Sequence, residues 1–149
     1  MRELAVLDSS VIAALFFSDP CSDEAEKAVL GFKFLYTLDL SVAEVANVAW
    51  KRIVLFGENP ETVRALLRQA VLFINEACVK VGSSEVYEKA LNIGVELSIP
   101  VYDSLFLALA EKLEGKLLTC DKKLEDKLRE TRYHETIRLI QPKAEHSHT

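Results

Sequence analysis

Short, unbroken apolar runs alternate with longer segments of helical periodicity along this chain, and that alternation restricts the fold more than any other feature. Five runs read as strands: Leu4 to Leu7, Phe34 to Leu38, Cys78 to Val81, Lys116 to Thr119 and Thr136 to Ile140. Apart from Lys80, Lys116, Arg138 and the threonines Thr37, Thr119 and Thr136, the runs are continuously apolar rather than alternating, as expected of strands covered on both faces. Between them the pattern predicts helices: Val11 to Phe17, Ser22 to Gly31, a helix capped by Ser41 and running to Phe56, and Pro60 to Glu76. Further helices are predicted from a cap at Ser83 or Ser84 to Ser98, over Asp103 to Leu113, and over Lys122 to Glu130. Strands alternating with helices in this way predict a three-layer α/β/α sandwich around a central, mostly parallel five-stranded sheet. The 149 residues suit one domain, read as residues 1–141, followed by a polar tail at 142–149 that holds His146 and His148.

In open α/β sheets, ligands bind beyond the carboxyl ends of the strands. Asp8 directly follows the first run and Asp121 follows the fourth, so both belong at that edge. Each also precedes a helix, where Asp is a favoured N-cap, so a purely structural role stays open for both. Glu44, Asn47 and Lys51 form a narrow polar stripe on an otherwise apolar helix, which suits either a thin solvent-facing strip or a cleft wall. Asp103 opens a helix whose Leu105 to Ala110 stretch is apolar all round, which puts it near the core.

Charge sharpens the question. Eighteen Lys and Arg against 23 Asp and Glu give a net charge of −5, which excludes a generic basic coat for nucleic acid. If the four acids converge, they repel: two carboxylates about 4 Å apart cost about 4 kcal/mol at an effective dielectric near 20. Protonation or a cation relieves such a cluster. Oxygen-only ligands favour hard ions, Mg²⁺ or Mn²⁺ over Zn²⁺. One or two such ions suit hydrolysis of a phosphodiester by metal-activated water.

Four segments resemble the motifs of the PIN domain family, and most closely the VapC-like toxin ribonucleases of VapBC-type toxin–antitoxin pairs. They are Leu7-Asp8-Ser9-Ser10, Ala43-Glu44-Val45-Ala46-Asn47-Val48, Tyr102 to Ala110 led by Asp103, and Leu118-Thr119-Cys120-Asp121. Their order agrees with the family, with 36, 59 and 18 residues between successive acids. The resemblance implies a Mg²⁺- or Mn²⁺-dependent endoribonuclease with Asp8, Glu44, Asp103 and Asp121 as metal-binding and catalytic residues. It implies that Ser10 and Thr119 help hold the acids, and that Asn47 orients Glu44 or meets the substrate. It also implies an antitoxin filling the acidic groove, often through an Arg, and a homodimer. PIN domains with the same acids also serve in RNA processing and decay, or bind RNA or protein without catalysis.

Lys122, Lys123, Lys51 and Arg52 lie close to these acids in sequence and are read as holders of flanking RNA phosphates, against the plainer reading of solvated surface. The helix from Pro60 to Glu76 carries more apolar residues than one core contact needs, which fits either burial or a protein interface. Three widely spaced cysteines, Cys21, Cys78 and Cys120, form neither a disulfide framework nor a zinc site, and a cytoplasmic setting is expected. No segment is long and apolar enough to cross a membrane. Phosphotransfer receivers need an acidic pair near the first strand, and haloacid-dehalogenase phosphatases a second Asp where Ser10 stands. Dinucleotide binding lacks its Gly-x-Gly-x-x-Gly turn.

Overall fold

The computed structural model describes residues 3–143, so Met1, Arg2 and the tail from 144 onward, with His146 and His148, lie outside the described residues. The strands are β1 (Leu4–Leu7), β2 (Phe34–Leu38), β3 (Val79–Val81), β4 (Lys116–Thr119) and β5 (Ile137–Leu139). They form one sheet in the order β3-β2-β1-β4-β5. Every pairing is parallel, so the sheet is wholly rather than mostly parallel. The helices are α1 (Ser9–Phe16), α2 (Ser22–Leu30), α3 (Leu40–Val54), α4 (Pro60–Glu76), α5 (Tyr87–Leu97), α6 (Val101–Leu113) and α7 (Lys122–Leu128).

The layers follow from strand alternation. Ala5 and Leu7 pack with α1 to α4 on one face, while Val6 packs with α5 to α7 on the other. Leu118 and Leu117 divide in the same way one strand over. Burying each of these Leu and Val side chains contributes about 1.5–3 kcal/mol, which commits the strand register. From β1 the chain moves outward through β2 to β3, then returns to the other side of β1 as β4. The order of winding therefore reverses between β1 and β4, and the carboxyl ends of those two strands flank a crevice.

Several boundaries differ from the sequence reading, each for a local reason. α1 starts at Ser9, not Val11, because Asp8 caps it directly. Ser41 does not cap α3. It lies inside the helix, fully buried, with its hydroxyl 2.6 Å from that of Thr37, which donates to the Leu7 carbonyl at 2.7 Å. Ser83 and Ser84 lie in a 3₁₀ turn, and α5 begins only at Tyr87. α6 starts at Val101 behind Pro100, so Asp103 sits in its first turn rather than at its opening. α7 ends at Leu128, and a 3₁₀ turn over Arg132–Glu135 follows it. Most of the apolar surplus on α4 packs inward: Val63, Ala70 and Ile74 are buried and Leu66, Leu67 and Phe73 pack against the core.

α6 is the most enclosed helix, with every residue from Ser104 to Ala110 buried. α5 lies directly against its start. A Cβ on Gly94 would come within 2.8 Å of the Ile99 carbonyl, so only glycine admits that approach. The Ser104 hydroxyl donates to the Ala90 carbonyl at 2.7 Å and ties the two helices. This clamp fixes where the first turn of α6, and with it Asp103, meets the sheet edge. Among the described residues, no single helix is long and apolar enough to cross a membrane.

Candidate active site

The crevice between β1 and β4 holds a cavity of about 130 Å³, lined by Asp8, Glu44, Asp103 and Asp121 together with Ser9, Ser10, Tyr102, Phe106 and Leu124. A larger hollow of about 780 Å³ opens at the opposite end of the strands, around Glu3, Gly115 and Glu135. Size does not identify the site; the winding order and the convergence of acids favour the smaller cavity.

Asp8 leaves β1 in extended backbone and turns directly into α1. Its Oδ1 accepts from the backbone N–H groups of Ser10 and Val11 at 3.1 and 3.2 Å, and from the Ser10 hydroxyl at 2.5 Å. Its Oδ2 accepts from the Thr119 hydroxyl. The capping role and the site role therefore belong to the same carboxylate. Thr119 also accepts from the Asp121 N–H at 3.0 Å, and Ser10 accepts from the Cys120 N–H at 2.9 Å. Two hydroxyls thus tie the end of β1 to the end of β4 around one buried acid.

The other acids arrive from three helices. Glu44, half-buried on α3, accepts from the Ser9 hydroxyl at 2.6 Å. Asp121 caps α7, its Oδ1 accepting from the N–H groups of Lys123 and Leu124 at 3.0 and 3.2 Å. Asp103 pairs with Lys127 at 3.3 Å. Ser9 and Lys127 escape the sequence reading. Ser9 has no pattern of its own, being one hydroxyl after a strand. Lys127 was findable, since it lies four residues after Lys123 on the same helix.

The remaining predicted contacts stand apart from the cavity. Asn47 is exposed and outside its lining, so Ser9, not Asn47, holds Glu44. Arg52 donates to the Ser18 carbonyl at 2.6 Å and pairs with Glu58 at 3.2 Å. Lys122 pairs with Glu125 and Asp126 at 2.9 and 2.7 Å. Lys51 and Lys123 are exposed.

Burial pushes the Asp8 carboxyl up to about 6 from its ordinary 3.8, against the pull of the Ser10 and Thr119 hydroxyls and the Val11 N–H. Nearby Asp121 adds to the rise. A raised folded-state pKa means that the folded chain holds this proton more tightly than the unfolded chain. The associated stability is full below about 3.8 and is lost as pH rises through about 6. The loss is on the order of 3 kcal/mol for a shift of this size. In EDTA, the protein should melt at a lower temperature at pH 7 than at pH 5. Asp8→Asn should flatten that difference, and a pH dependence unchanged by Asp8→Asn would contradict the assignment.

The donor set suits a hard divalent cation: four carboxylates line one cavity, one of them buried where a positive charge would favour its ionised form. Among the described residues, no group of three His, Cys, Asp or Glu side chains is already gathered tightly enough to hold one ion, and Asp103 is paired with Lys127. Gathering the ligands therefore requires side-chain rotation, with Lys127 giving up Asp103.

The family model of the PIN domain matches residues 5–129. The chain is 38% identical over 123 residues to Ribonuclease VapC3 of Pyrobaculum aerophilum, covering 82% of this chain and 92% of that protein. Among solved structures, PAE2754 from Pyrobaculum aerophilum superposes with a TM-score of 0.66 at 21% identity, over 91% of this chain and 83% of that one. A toxin–antitoxin complex from Klebsiella pneumoniae superposes with a TM-score of 0.65 at 15% identity, over 90% of this chain and 95% of that one. These two likenesses concern the fold.

Proposed function

The chain belongs to the PIN domain family, and on that premise we propose that it is an endoribonuclease, the toxin of a toxin–antitoxin pair. The observation that carries the reading is the convergence of Asp8, Glu44, Asp103 and Asp121 on one cavity at the point where the winding of the sheet reverses. The likeness to Ribonuclease VapC3 supports the activity, and the likeness to a toxin–antitoxin complex fits the pairing.

Asp8, Glu44, Asp103 and Asp121 would hold one or two Mg²⁺ or Mn²⁺ ions. When bound, such ions lower the pKa of water and neutralise the charge of a phosphodiester. The protein's own part is placement. Ser10 and Thr119 keep Asp8 in one orientation, and Ser9 does the same for Glu44. Glu44 Oε2, Asp103 Oδ1 and Asp121 Oδ2 accept no hydrogen bond among the described residues, which leaves three carboxylate oxygens open to ligate an ion or to take a proton from attacking water. Lys127, released from Asp103, and Lys123 on the same helix would meet the flanking phosphates of a single-stranded or looped RNA.

A protein of net charge −5 gives RNA little general attraction, so binding depends on this cavity and its cations. The same acids would accept a cationic side chain, such as Arg, from an antitoxin. We further propose a homodimer as the functional unit. Expression in a bacterial host tests the toxin reading. Growth should arrest with RNA cleaved, and co-expression of a small protein encoded beside this one should relieve it. Unimpaired growth despite abundant soluble protein would point to RNA processing instead.

A further inference from the structure

Beside the acid cavity lies a second cavity of about 480 Å³, within the range of about 300–1,000 Å³ that encloses small organic ligands. The two cavities share Ser10, whose hydroxyl holds Asp8. Helix periodicity aligns them. On α3, Glu44 lines the acid cavity, while Val48 and Arg52, one and two turns further along the same face, line the second. Val48 thus stands roughly 6 Å beyond Glu44, within reach of the nucleotide next to one held at the acids. On α1, Ser10 is followed in the same way by Ala13. Most of the wall is uncharged, made by Ala13, Pro20, Val48 and Pro142 and by two thiols, Cys21 and Cys120, that burial keeps protonated.

Two charged side chains complete the lining. Asp19 Oδ1 accepts from the Cys21 N–H at 2.7 Å, and its Oδ2 accepts no hydrogen bond among the described residues. Arg52 is anchored: its guanidinium lies 5.8 Å from the centre of the Phe17 ring, donates to the Ser18 carbonyl at 2.6 Å and pairs with Glu58 at 3.2 Å. Two of its N–H groups are used in this way, and the rest of the planar fork keeps its donors. A phosphate fits this pair poorly, because Glu58 already balances Arg52 and Asp19 repels an anion. A nucleobase edge fits it well, offering ring or carbonyl acceptors to Arg and an amino group to Asp.

We propose that this second cavity receives an unpaired RNA base, that of the nucleotide adjoining the scissile phosphate, with Arg52 and Asp19 reading its edge and the apolar walls covering its faces. The placement beside the scissile phosphate rests on the ribonuclease reading above. The preferred bases are those that carry an amino group: adenine, cytosine or guanine over uracil.

The test titrates the full isotope-labelled chain with each of the four nucleosides, followed by NMR. Nucleosides carry no phosphate, so their binding needs neither metal nor cleavage. Saturable shifts are expected at the Cys21, Val48 and Cys120 amides and at the Arg52 Nε–H, larger for at least one amino-bearing nucleoside than for uridine. Arg52→Lys should abolish them while its other amide signals match the parent. Lysine keeps the charge but not the planar fork, so a site that merely attracts phosphate would survive the change. In cleavage assays, an abasic nucleotide on one side of the cleaved bond should raise KM about tenfold. Asp19→Asn keeps an oxygen for the Cys21 N–H and should raise KM similarly on intact RNA, but not on that abasic RNA. Absence of nucleoside shifts, or equal effects of Asp19→Asn on intact and abasic RNA, would overturn the proposal and leave the ribonuclease reading standing. Nucleoside shifts in a protein that cleaves no RNA would support the base site and contradict the ribonuclease reading instead.

Discussion

Replacing Asp8 with Asn should lower RNA cleavage by at least about 100-fold, the rate equivalent of about 3 kcal/mol of transition-state stabilisation. Asp8 is the only one of the four acids that is buried, and both of its oxygens are occupied by side-chain hydroxyls from α1 and β4. Asn fills the same volume, and its oxygen can still accept from the Ser10 and Val11 N–H groups, so α1 keeps its cap. What is lost is the negative charge at the centre of the cavity. Burial penalises that charge at neutral pH, so the variant should also melt at a higher temperature than the parent at pH 7 in EDTA. Reduced activity with raised stability distinguishes loss of function from loss of fold. A variant that is inactive because it is unfolded, or fully active, would contradict this assignment.

Thr119→Val should lower cleavage by roughly 10- to 100-fold, the usual cost of removing a group that orients a ligand. The Thr119 hydroxyl is fully buried and does two things at once. It donates to Asp8 Oδ2 and accepts from the Asp121 N–H at 3.0 Å. Valine keeps the shape and removes both bonds, leaving a buried carboxylate oxygen and a backbone N–H unpaired. Stability should fall by about 1–3 kcal/mol, measured by urea unfolding. Without this donor, Asp8 should also hold its proton to higher pH, so the pH–rate profile should shift upward. An unshifted profile with lower stability alone would make Thr119 a packing residue and no more.

The acids were legible in the sequence because their positions depend on topology, which apolar patterning reveals. Asp8 and Asp121 follow strands, and parallel strands put their ends on one edge. Glu44 was visible as a polar residue on an apolar helix. Finer placement was not legible, because contacts between distant segments decide it. Ser41 has the look of an N-cap, but its pairing with Thr37 under the sheet edge draws it into the helix. Asp103 falls within the first turn of α6 rather than at its opening because the Ser98 backbone breaks α5 in a left-handed conformation and Pro100 then starts the next helix. Ser9 acts on Glu44 across 35 positions, a pairing that no local pattern announces. The ion pairs of the cations were not legible either: Arg52 pairs with Glu58, and Lys122 with Glu125 and Asp126, contacts that only the folded helices bring about.

Cleavage of a defined single-stranded RNA by protein stripped in EDTA and then supplied with Mg²⁺ or Mn²⁺ tests the acid cavity most directly. Parent protein should be inactive in EDTA and recover with at least one of the two ions, while Asp8→Asn, folded by circular dichroism, should stay inactive with both. Cleavage at the parent's rate in EDTA, undiminished by Asp8→Asn, would show that the four acids are not where the chemistry occurs.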